Sequence, residues 1–116
     1  MKFLVTFTHV DGSFEQLSAE QTKGFQEWFP SFMAALAEEK GTALVNFKPP
    51  SEAKVVSRAE VDGELEVTDG PLLQGSESVG GYFVIEADSM DDAVEFCKRA
   101  RYMPGSNEIR EIREDV

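Results

Sequence analysis

Cysteine and histidine each occur once in this chain of 116 residues, as Cys97 and His9. One cysteine excludes an intrachain disulfide and any multi-cysteine metal site, and it suits a reducing compartment, with the cytoplasm as the default. One histidine removes the His-rich zinc motifs and any His-x-x-x-His pair. Only carboxylate-based metal sites stay open, and no ligand spacing stands out, so neither a metal nor another cofactor is expected. Positive charge is scarce too. The 11 Lys and Arg against 22 Asp and Glu leave a formal charge of −11, which repels phosphate backbones and anionic bilayers. The nearest thing to a basic cluster, Lys98-Arg99-Ala100-Arg101, lies among acidic segments. Neither nucleic acid nor a membrane is therefore an expected partner. No apolar run reaches membrane-spanning length, and residues 1–9 lack the sustained apolar region and small-residue cleavage site of a secretory signal.

What is present is ordinary for a globular protein: 41% hydrophobic and 28% charged residues, in a length that suits one acidic domain over 1–116. Residues 3–10 alternate, with Phe3, Val5, Phe7 and His9 on one face and Leu4, Thr6, Thr8 and Val10 on the other, which predicts a strand covered on both sides. Asp11-Gly12-Ser13 ends it. Ser18 and Gln21 have the spacing of a capping box, and Phe25, Trp28, Phe29, Phe32, Met33 and Leu36 then form one helical stripe. Pro30 lies away from that stripe and predicts a bend around the core, while Lys40 and a left-handed Gly41 end the helix.

A short strand is expected over 43–47. A second extended stretch over 54–61 leads to Asp62-Gly63, a dipeptide suited to a tight type I′ hairpin, with the returning strand at 64–68. Asp69-Gly70-Pro71 turns the chain into a loop over 72–80, followed by a strand at 81–87 that is apolar on both faces. Ser89 caps a second helix with Asp91 and Asp92 at its start and Lys98, Arg99 and Arg101 near its end. The charged run 108–113 suits an edge strand.

With the hairpin read as an excursion, the order β-α-β-β-α-β is that of the split βαβ, ferredoxin-like α+β fold, with two helices on one face of an antiparallel sheet. The opposite face is left uncovered and partly apolar, so a homodimer with sheets face to face is expected.

Three segments bear a resemblance to a known family: Val67-Thr68-Asp69-Gly70-Pro71, Glu77-Ser78-Val79-Gly80-Gly81-Tyr82-Phe83-Val84-Ile85, and Ala87-Asp88-Ser89-Met90-Asp91-Asp92-Ala93-Val94-Glu95. Together with Ser18-Ala19-Glu20-Gln21, Trp28 and the closing Gly105-Ser106-Asn107-Glu108-Ile109-Arg110-Glu111-Ile112, they make the chain similar to the YCII-related (DGPF) family over most of its length. The resemblance implies a dimeric α+β barrel built from two ferredoxin-like units. It implies little about chemistry, because barrel relatives include monooxygenases, lactone isomerases and haem-dependent enzymes. This chain departs from the pattern at Leu72, where the motif has phenylalanine, and at Gln74, Ser76 and Glu77, of which only Glu77 matches the usual acid and Lys-Glu. One branch carries a His-Asp pair on and after the first helix; the long helix here has no histidine, so that dyad does not carry over.

Asp69, flanked by Gly70 and Pro71, is the first candidate for a general base or ligand-binding carboxylate, set against an Asx-turn role. Glu77 is its candidate partner, since two carboxylates can divide acid and base roles; a solvated loop glutamate is the plainer reading. His9 is the one side chain that titrates near neutrality without perturbation, at the end of the Phe3-Val5-Phe7 face, with Asp11 as a candidate orienting group. The glycines around 75–81 lack the Gly-Lys-Ser/Thr element of a phosphate loop and precede a strand. Cys97 reads as a buried, unreactive thiol, the aromatic stripe as core, and Arg99 and Arg101 as helix charge balance. These residues point to a cytoplasmic homodimer that binds an unidentified small organic molecule in a cleft near 69–77, with cofactor-independent acid–base catalysis as its further capacity. The alternative is a non-catalytic module for ligand sensing or protein interaction.

Overall fold

The structure, a computed structural model, describes residues 1–115. The alternating apolar residues make strand β1, Lys2–Val10, and bury Phe3, Val5 and Phe7 on one face. The predicted capping box opens helix α1, Ala19–Glu38: the Ser18 hydroxyl accepts from the Gln21 N–H at 3.1 Å, and the Gln21 side chain accepts from the Ser18 N–H at 3.0 Å. The helix runs through Pro30. Its end differs from expectation in one respect: the left-handed residue is Lys40, with φ 53°, and not Gly41. The Lys40 N–H bonds the Ala37 carbonyl at 3.2 Å and the Gly41 N–H bonds that of Leu36 at 2.8 Å, a Schellman pair that places the left-handed position one residue earlier.

Beyond it lie β2 (Val45–Asn46), a 3₁₀ turn at Pro50–Glu52, β3 (Lys54–Ser57), β4 (Glu66–Asp69), β5 (Glu77–Glu86), α2 (Met90–Ala100) and β6 (Asn107–Glu111). Strand pairing is antiparallel throughout, in the order β2-β5-β1-β6, with β3 and β4 forming a separate two-stranded ribbon. This α+β arrangement is consistent with a ferredoxin-like fold. Both helices pack on one face of the four-stranded sheet, where Phe32, Leu36, Ala93, Phe96 and Cys97 meet Phe3, Val5, Phe83 and Ile85. On the other face Leu4, Thr6, Tyr82 and Val84 are half-buried.

The ribbon corrects the hairpin expectation. Lys54 pairs with Asp69 and Ser57 with Glu66, a register two residues away from the one an Asp62-Gly63 turn would impose. Residues 58–65 close the loop, and neither Asp62 nor Gly63 has the positive φ that a type I′ turn needs. The Lys54–Asp69 ion pair and the Gly70 N–H bonded to the Ala53 carbonyl at 2.8 Å hold the register from the base, overriding the local turn signal. A second correction concerns β5. It starts at Glu77, so much of the segment read as loop is strand.

Candidate functional site

Between the first half of α1, the end of α2 and the inner face of β1 and β5 lies a cavity of about 120 Å³. Its walls come from the aromatic stripe of α1. Phe32 is buried core, but Phe25 and Trp28 are half-buried at the cavity and Phe29 is 37% exposed at its mouth. The i, i+4 spacing stacks Trp28 on Phe32 with ring centres 5.1 Å apart and planes 15° apart. Tyr102, from the loop after α2, also stacks on the indole, at 5.8 Å, and donates its hydroxyl to the Gln21 carbonyl at 2.9 Å. Gly24 makes this possible, since a Cβ there would meet the Tyr102 ring at 3.3 Å. A glycine inside a helix costs about 1 kcal/mol relative to alanine, and here it admits the tyrosine.

His9 enters the same cavity from β1. Its ring sits edge-on between Phe7, 5.5 Å away, and Phe14, 5.1 Å away. The register between β1 and β5 shifts between Phe7 and Thr8, so that Gly80 is the extra residue of a bulge. A Cβ at Gly80 would lie 2.6 Å from His9 Nε2, so the missing side chain gives the imidazole its place. His9 Nδ1 is buried and has no hydrogen-bond partner. Burial first, and the nearby Arg101 cation second, hold its pKa below the ordinary histidine range, and the ring is neutral at pH 7.

The bulge also decides where Glu77 points. Gly81, Phe83 and Ile85 face the helices, and in an unbroken strand Glu77 would follow them; the extra residue sets it opposite Val10, on the face of Thr8. There its carboxylate accepts from the Thr8 hydroxyl at 2.7 Å and from the Ser106 hydroxyl at 3.0 Å, and these two bonds hold its pKa below the usual carboxylate range. Asp11 accepts from the Ser78 hydroxyl at 2.9 Å. Asp69 stands at the base of the ribbon, 85% exposed and paired with Lys54. Gly70 is left-handed with φ 92°, and the Pro71 carbonyl accepts from the Gln74 amide at 2.8 Å. Neither Asp69 nor Glu77 lines the cavity that His9 enters. Each of the three candidates thus occupies its own environment in the single chain.

Arg101, set aside in the sequence as helix charge balance, does more. It follows α2 as the C-cap residue and lines the cavity wall. Its guanidinium donates to the carbonyls of Met103 at 2.9 Å, Thr8 at 2.8 Å and Ser106 at 3.3 Å, tying the loop after α2 to β1. Arg99, by contrast, pairs with Glu39 at 3.6 Å on the surface. Cys97 is buried at the back of the cavity, and burial pushes its thiol up to about 11. Phe14 and Tyr102 carry no signal of their own in the sequence: one follows a turn and the other a helix end, and only the fold brings them beside Trp28 and His9.

Among the described residues no helix is long and apolar enough to cross a membrane, and no group of three or more His, Cys, Asp or Glu is placed to hold a metal ion. Comparison with curated proteins finds no match. The sequence model of the YCII-related domain, in contrast, matches residues 1–114, and the chain belongs to the YCII-related family.

Proposed function

We propose that this protein is a cytoplasmic homodimer that binds a small organic molecule in the aromatic cavity beside His9. The observation that carries the reading is the cavity itself: about 120 Å³, walled mainly by rings, with His9, Arg101 and two asparagines as its polar lining. A well-packed core leaves few voids of this size, and a cavity of about 150 Å³ in another protein is enough to hold benzene. At about four-fifths of that volume, with Phe29 at its mouth, the cavity is of a size for one ring, whose polar substituent would meet His9 or the neighbouring polar side chains.

Area supports the pairing of two copies through the uncovered sheet face. The chain exposes 8398 Å², against about 6,300 Å² for a compact monomer of this mass. The surplus is more than the roughly 800 Å² per partner of a standard interface. Some of it is apolar ribbon surface, with Val56 and Val67 each 64% exposed. Face-to-face pairing of the sheets is the dimeric α+β barrel.

One observation favours binding without turnover as the second reading. Among the described residues no carboxylate lines the cavity, so none there serves His9 as an acid–base partner. Asp69 and Glu77 enter either reading through the dimer contacts or through the loops they fix.

The test is a thermal-shift series of single-ring compounds, read with light scattering. A ligand at a hundred times its Kd adds about 2.7 kcal/mol of stability, and the solution mass is expected to be twice 12.9 kDa. A mass of one chain at micromolar concentration ends the barrel reading, and no shift with any compound ends the cavity reading. Asp69 lies outside the cavity, so Asp69→Asn is expected to leave a cavity ligand's shift unchanged; loss of that shift with an unchanged Tm would bring Asp69 into the site through the dimer.

A further inference from the structure

The cavity has a charge preference opposite to that of the whole protein. None of the 22 acidic residues lines it, although the chain carries twice as many acids as bases. Its one ionised side chain is Arg101. All three hydrogen bonds of that guanidinium go to neutral backbone carbonyls, which leaves one N–H on each terminal nitrogen without a partner among the described residues. Nor, among the described residues, does any carboxylate lie within ion-pair distance of it. Glu77 acts on Arg101 at longer range, but it sits on the other face of the sheet with its oxygens engaged by Thr8 and Ser106.

A cation with fixed orientation and partial burial, without a carboxylate at ion-pair distance and at the edge of an aromatic wall, has the chemistry of a carboxylate receptor. Asn46 and Asn107 add neutral polar groups to the same wall, and neither opposes an anion. His9, neutral at pH 7, adds no positive charge of its own and offers only a hydrogen bond.

Resting on the cavity reading above, we infer that the ligand is a small aromatic or cyclic monocarboxylate, its ring against Trp28 and Phe25 and its carboxylate on the spare N–H groups of Arg101. The protein's charge of −11 disfavours anions over the rest of its surface, which makes this wall the favourable place for one.

Trp28 is the only tryptophan and lines the cavity, so its fluorescence reports occupancy directly. Benzoate and its neutral isostere benzamide are titrated against the wild-type protein and against Arg101→Gln, which keeps an amide to hold the loop carbonyls. The expected result is a preference of about tenfold or more for benzoate in the wild type, as for other charge-assisted pairs. That preference weakens as salt is raised and is lost in the variant. Equal affinity for the two probes, or a benzoate preference that survives Arg101→Gln, overturns the charge inference and leaves the cavity reading standing. Quenching by neither probe overturns both. Should the variant fail to fold, the wild-type comparison still decides, since Arg101 is the only cation in the wall of an otherwise repulsive protein.

Discussion

A cavity kept open inside a small domain lowers its stability, and filling it should therefore stabilise the protein and abolish binding together. Unfilled core volume costs about 24 cal/mol per Å³, so the cavity of about 120 Å³ corresponds to about 3 kcal/mol of forgone packing. Ala100, the last residue of α2, is half-buried and lines the wall, and leucine suits its helical position nearly as well. Ala100→Leu inserts three carbons. At roughly 0.8 kcal/mol each they contribute about 2.4 kcal/mol. Fixing the leucine rotamer returns about 0.5–1 kcal/mol, for a net gain of about 1.5 kcal/mol. At about 4 °C per kcal/mol for a chain of this size, Tm should rise by about 6 °C. Differential scanning calorimetry measures that rise, and the Trp28 titration run alongside should show no ring compound binding. A lowered Tm would mean that the walls are already in contact, and a retained ligand response would place binding elsewhere. Either result refutes the reasoning from cavity to function.

Two further outcomes follow from the site's titrations. His9 is held below its ordinary pKa by burial and by Arg101, while the unfolded chain titrates at about 6.5. The unfolded state therefore binds more protons in the interval between the two values. The neutral ring's contribution is complete above about pH 6.5 and is lost as pH falls toward the folded-state pKa. Melting curves from pH 7.5 to 5 should accordingly fall more steeply for the wild type than for His9→Phe, and parallel curves would show that His9 is not held neutral by the fold. Cys97, with its thiol at about 11, is about one part in a thousand thiolate at pH 8, against about a quarter in an unfolded chain. Labelling by a disulfide reagent should be more than about a hundredfold slower in the native protein, and equal rates would contradict its burial.

The sequence carried those features whose cause is local. Ser18 and Gln21 formed both bonds of the capping box, Ser89 accepts from the Asp92 N–H at 3.1 Å, and the alternation from Phe3 to Phe7 gave the buried face of β1. Features fixed by partners distant in sequence were not legible. Asp62-Gly63 has the composition of a tight turn, yet contacts at the ribbon base set a different register. The bulge at Gly80 is visible only when β5 is laid against β1, and it alone separates Glu77 from the face that His9 occupies. Two candidates that share a parity in the sequence thus lie on opposite faces of one sheet. The aromatic stripe was read as core, and that holds for Phe32, holds in part for Trp28, which is half-buried against the core and also lines the cavity, and fails for Phe29, although all three share one helical face.

The difference within that stripe comes from length. α1 has 20 residues and α2 has 11, so at 1.5 Å per residue α1 extends about 13 Å further along the sheet. Phe32 and Leu36 of α1 share their core with Ala93, Phe96 and Cys97 of α2 and are fully packed. Phe25, Trp28 and Phe29 lie toward the other end of α1, where α2 contributes only Cys97 and Ala100 to the wall and then stops. Past that point the covering passes to the loop carrying Tyr102 and Met103, which Arg101 ties to Thr8 and Ser106. A loop covers less volume than a helix, and the remaining space is the cavity. The residue that ends α2 and fastens the loop is also the one cation in the cavity wall, so the charge that would recognise a carboxylate is built into the same structural element that leaves room for its ring.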